Sequence, residues 1–140
     1  MHLYYVYAMK EEVSKEYYYK TELLFRFLKE YHRNSQLELY KLQFHFITEP
    51  FPLIDLVRIL TRYPRERMSL IHGRKLTKWV EKRGIIEITN DMCLIQCESF
   101  MEAEQMLFQK LRDIDGCFFI AEFHLDHYGW VSPQRKEMLL

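Results

Sequence analysis

The sequence predicts an α+β fold: one domain over residues 1–140, with a small, mostly antiparallel sheet covered by several helices. Three observations carry that expectation. Short runs rich in Tyr, Val, Ile, Cys and Phe lie near both ends of the chain and suit strands. The segments between Lys10 and Tyr63 repeat apolar residues at spacings of three and four. Asn90-Asp91 separates two β-like runs as a hairpin turn does.

The elements follow in order. Leu3 to Ala8 reads as a strand. From Lys10 the pattern turns helical, as two helices or as one with a bend near Tyr19-Lys20. Thr21 offers an N-cap for Leu23 to His32, where Leu24, Phe27, Leu28 and Tyr31 share a face. Leu37 to Thr48 fits a helix through Leu39, Leu42 and Phe46, or a strand through Leu42, Phe44 and Phe46. Helix is favoured, because Gln36 to Lys41 is helix-prone and no turn interrupts it. Pro50-Phe51-Pro52 stops that segment. Leu53 to Tyr63 reads as a helix, and so does Arg67 to Arg83, kinked near Gly73. Ile85 to Thr89 and Cys93 to Cys97 form the hairpin. Ser99 with Glu102 makes a capping box for a helix reaching about Asp113. Asp115-Gly116 turns the chain into an apolar strand, Cys117 to Phe123, and Tyr128 to Pro133 closes the chain before a polar tail.

Composition excludes several classes. Hydrophobic residues are 49% and aromatic residues 16% of the chain, too many for a disordered or low-complexity protein. Twenty Lys plus Arg against twenty Asp plus Glu leave no net charge, which argues against a general nucleic-acid coater. No run reaches the roughly 20 apolar residues of a membrane span. The start lacks a basic region ahead of its apolar residues and soon meets Lys10-Glu11-Glu12, unlike a signal peptide. Cys93, Cys97 and Cys117 are odd in number and sit in apolar runs, as free thiols do in a reducing compartment, so a cytoplasmic protein is expected.

Charge is uneven along the chain. Residues 58–83 hold nine basic and two acidic side chains, whereas 84–126 hold nine acidic and two basic ones. The basic stretch, with Tyr63 and Trp79 to stack a base, is the alternative reading: a nucleic-acid-binding regulator. Zero overall charge favours a solvated face balanced by the acidic half.

Chemistry-bearing patterns are scarce. The four glycines, 73, 84, 116 and 129, never cluster into a phosphate loop, and no Gly-x-Ser-x-Gly elbow occurs. Cys93 and Cys97 with His124 and His127 offer enough donors for zinc. Core thiols and surface histidines account for them better, since strand residues four apart lie well separated along one face. Neither catalytic residue, metal nor cofactor is therefore expected. Tyr17-Tyr18-Tyr19 is more telling, because three successive helical residues cannot all face one core. Tyr17 shares a face with Val13, four residues earlier. It is either an interface anchor or a ring half-buried on its own domain.

The order and spacing of Tyr4-Tyr5-x-Tyr7, Lys10-Glu11-Glu12, Tyr17-Tyr18, Tyr31-His32, Ile47-Thr48-x-Pro50-x-Pro52, Ile86-Glu87-Ile88 and Tyr128-Gly129-Trp130-x-x-Pro133 resemble the sporulation inhibitor of replication (SirA) family of endospore-forming bacilli. The resemblance runs from residue 3 to about 133, with gaps mainly around 58–84. It implies a non-enzymatic, cytoplasmic regulator that binds the N-terminal domain I of the replication initiator DnaA and blocks new rounds of chromosome replication during sporulation. By position, the resemblance assigns the partner face to Val13 and Tyr17 of the first helix and to Gln43 and Phe46 of a later one, with Pro133 at the edge. The family can carry Phe where this chain has Val13, so less area is available there.

Overall fold

The computed structural model describes residues 1–62, 69–72 and 76–131. Strand β1 (His2–Met9) leads into three helices, α1 (Glu11–Tyr17), α2 (Thr21–Arg33) and α3 (Glu38–Ile47). Helix α4 (Leu53–Leu60) then precedes four strands, β2 (Ser69–His72), β3 (Thr77–Glu81), β4 (Gly84–Ile88) and β5 (Cys93–Cys97). A helical rod follows, made of α5 (Phe100–Ala103), a π-helical stretch (Glu104–Phe108) and α6 (Gln109–Leu111). Strands β6 (Cys117–Glu122) and β7 (His127–Trp130) complete the described chain.

All seven strands join one antiparallel sheet in the order β2-β3-β4-β5-β1-β6-β7. Side chains alternate along a strand, so β1 serves two cores at once. Tyr4, Val6 and Ala8 point to one face, where Leu56 and Leu60 of α4 and Met106, Leu107 and Phe108 of the rod cover them. Tyr7 and Met9 point to the other, where Leu24, Phe25 and Leu28 of α2 and Phe44 of α3 do so. Each of the larger aliphatic, Phe and Met side chains among them contributes about 1.5–3 kcal/mol by leaving water. Ser99 caps the rod by accepting from the Glu102 amide at 3.2 Å. Glu102 reaches back to the Glu98 amide, one residue before the cap, at 3.2 Å.

Four expectations need correction. The helix read over Arg67 to Arg83 is, within the described residues, β2 and β3. Thr77 and Trp79 are buried while Lys78 and Val80 are half-buried, a period of two. Basic residues every few positions imitate a helix with one charged face, but Thr, Trp and Val prefer the sheet once β4 is there to pair. Lys78 then lies opposite Glu87, 3.7 Å away. The sheet is consequently larger than expected, and its far edge is β7, formed by residues read only as a closing segment. Helix α4 ends at Leu60, short of Tyr63, which lies outside the described residues. Thr21 opens α2 as its first residue, and its side chain makes no capping bond; the break at Tyr19-Lys20 is where it was expected.

Candidate functional site: a groove between three helices

The placement of α1 and α3 is fixed at the end of β1. The Lys10 amide donates to the Ile47 carbonyl at 3.1 Å and the Glu49 amide to the Ala8 carbonyl at 2.8 Å. Met9 and Thr48 form an isolated bridge between them. The start of α1 and the end of α3 are thereby bound side by side. Glu11 and Glu12 in the first turn of α1 complement its positive end.

The deepest side chain of helix α3 is Phe44. Phe44 is 1% exposed and stacks on Tyr31 of α2, centroids 4.2 Å apart. Its apolar stripe, by contrast, faces outward: Leu39, Leu42 and Phe46 are 66%, 61% and 74% exposed. The helix reading of this segment holds, and the stripe that suggested it is the one left in water.

A groove of about 670 Å³ runs between α1, α2 and α3. Val13 and Tyr17 line it from α1, Leu23, Leu24 and Phe27 from α2, and Leu42, Gln43, Phe46 and Ile47 from α3. Four of the five residues that the family resemblance assigns, Val13, Tyr17, Gln43 and Phe46, thus border one cavity. Pro133 lies outside the described residues. Val13 is 8% exposed and forms floor rather than ridge. The Tyr17 ring is half-buried at the wall, with Lys20 Nζ 5.9 Å from its centre. Gln43 is exposed, and Phe46 stands out with Lys10 Nζ 5.2 Å from its centroid. Tyr18 instead stacks parallel to Trp130, and Tyr19 is 94% exposed. Leu23 and Leu42 went unnoticed as site residues. For Leu42 the signal was present, since α3 carries two competing apolar faces and only one can turn inward.

Other candidates do not assemble. Trp79, 4% exposed, donates its indole N–H to Glu81 at 3.0 Å, so its ring cannot stack a base. Among the described basic residues of 58–83, Arg58, Lys78 and Arg83 each meet a carboxylate. Cys93 and Cys97 are buried while His124 and His127 are exposed, and no group of three metal-ligating side chains occurs among the described residues. Burial pushes the Cys93 thiol far above its ordinary range, the opposite of a reactive thiolate. No helix among the described residues is long and apolar enough to cross a membrane.

The groove is open to solvent, apolar along its walls and polar at its lip, and lies between helices packed on one face of the sheet. Comparison with known proteins supplies the chain's kinship. Residues 2–135 match the family described as sporulation inhibitor of replication protein SirA, and the chain belongs to that family. It is similar to the sporulation inhibitor of replication protein SirA of Bacillus subtilis (strain 168), with 27% identity over 141 aligned residues covering 95% of each chain.

Proposed function

We propose that this protein is a cytoplasmic inhibitor of chromosome replication initiation during sporulation, acting by occupancy of domain I of the initiator DnaA. Membership of the SirA family supports the inhibitory role. The observation that carries the binding mode is the convergence of Val13, Tyr17, Gln43 and Phe46 on one groove. The half-buried Tyr17 ring, with a polar tip at the wall, is the anchor. Gln43 adds a donor and an acceptor at the lip. An interface on short helical faces covers a modest area, and a few residues dominate its energy. Covering a surface that DnaA needs for self-assembly or for another partner stops initiation without any chemistry.

The test is a titration of purified DnaA domain I with wild type and Tyr17→Ala. The variant should show no binding at concentrations that saturate the wild type, with an unchanged melting temperature. Equal affinity removes Tyr17 from the site and the groove from the mechanism.

A further inference from the structure

Tyr128-Gly129-Trp130 is a part of the sequence pattern that the groove itself does not use. It lies in β7, which pairs only with β6 among the described residues and so stands at the edge of the sheet. Two residues apart on one strand, Tyr128 and Trp130 project from the same face. That face is the one α2 and α3 cover.

Each ring meets a different helix of the groove. Tyr128 stacks on Phe25 of α2, with centroids 4.4 Å apart and planes 17° from parallel. Trp130 lies parallel to Tyr18, the C-cap residue of α1, at 6.3 Å and 7°. Its indole N–H also donates to the Tyr18 carbonyl at 3.2 Å. Carbonyls at the end of a helix have no partner within it, so a donor from outside fixes where the helix stops. Trp130 is itself seated on the sheet. Its ring meets Phe119 edge-on at 5.1 Å, and the next amide, Val131, donates to the Phe118 carbonyl at 2.9 Å.

Helix α1 needs such a hold. Its seven residues are too few for a helix to persist alone, and Val13 is its one buried side chain. Its start is tied to α3 through the Lys10 amide, and Ser14 Oγ lies 3.1 Å from Cys117 Sγ near its middle. At its far end the contact from the sheet is Trp130. Tyr17, whose ring lines the groove, is the residue just before Tyr18.

We infer that β7 is a clamp that sets α1 against α2, with Trp130 a positioning residue holding the Tyr17 ring at the groove wall. The consequence for binding rests on the proposed docking of DnaA domain I in the groove; the hold on α1 does not.

Amide hydrogen exchange of the free protein and titration of DnaA domain I test this on wild type, Trp130→Leu, Trp130→Phe and Tyr18→Ala. Trp130→Leu should speed exchange of the α1 amides at least about fivefold and leave those of β1 and β5 unchanged, whereas a general loss of stability speeds all of them together. Tyr18 is 48% exposed and lies outside the groove lining, so Tyr18→Ala keeps the fold and should loosen α1 in the same way. Binding should weaken about fivefold in Trp130→Leu and less in Trp130→Phe, which keeps a flat ring for Tyr18. Three results overturn the inference: α1 exchange unaltered in both Trp130→Leu and Tyr18→Ala, exchange raised equally throughout the sheet, or weaker binding with α1 exchange unchanged, which makes Trp130 a direct contact. Wild type failing to bind domain I sinks the proposed function instead, and the exchange rates still decide on the clamp.

Discussion

Phe46 offers the sharpest separation of binding from folding. Its side chain is 74% exposed, so truncation to Ala removes little that the fold uses. The loss to stability should stay within about 0.5 kcal/mol, including the exposed contact with Lys10. On binding, the same ring is the largest apolar area at the groove's lip. A phenylalanine presents on the order of 200 Å², of which roughly 100 Å² beyond what Ala retains is open for a partner to cover. At about 25 cal/mol per Å² that area is worth about 2–2.5 kcal/mol, or a Kd weaker by roughly 30- to 70-fold. Isothermal titration against DnaA domain I reads the affinity, and a thermal melt reads the fold. A Kd within about threefold of wild type, with the fold intact, places Phe46 outside the contact and refutes the reasoning.

Further outcomes follow from single contacts. Gln43→Ala should weaken the same complex by about 1–2 kcal/mol, through lost hydrogen bonds, without lowering the melting temperature; an unchanged Kd puts Gln43 on the rim. Gly84→Ala should destabilise by about 1–3 kcal/mol, because a Cβ there meets the Gln96 carbonyl oxygen at 2.3 Å; urea midpoints measure it, and an unchanged midpoint contradicts the close approach. His32 makes stability fall on the acid side. The unfolded chain takes up its proton near the ordinary value of 6.5, and the folded chain only at lower pH. Its contribution is therefore complete above about pH 6.5 and is lost as pH falls below that, until the folded form also titrates. His32→Phe should flatten the urea-midpoint profile between about pH 7.5 and 5.5, and a profile as steep as wild type assigns the loss to other groups.

Local signals were read well where periodicity and turn chemistry agreed. Leu3 to Ala8, the hairpin at Asn90-Asp91, the Ser99 cap and the apolar strand from Cys117 all appear where their residues imply. The failure over 69–83 has a physical cause. An edge region exposes one face, so its Lys and Arg residues fit either period, and only long-range pairing with β4 decides. The groove was half legible. Val13 to Tyr17 is a one-turn spacing visible in any helix, but which stripe of α3 turns inward depends on Tyr31 stacking on Phe44 and Tyr7 meeting it edge-on. That choice is tertiary, and no local spacing decides it. The family resemblance supplied Gln43, which no periodicity would have selected.

The central position of β1 has a consequence for how the molecule comes into being. This strand precedes every other described element along the chain, yet its neighbours begin only at Cys93 and Cys117. Until most of the polypeptide has been synthesised, its two rows of rings have nothing to zip against. Assembly is then a late, long-range closure, slow for a chain of this size and exposed to chaperone capture meanwhile.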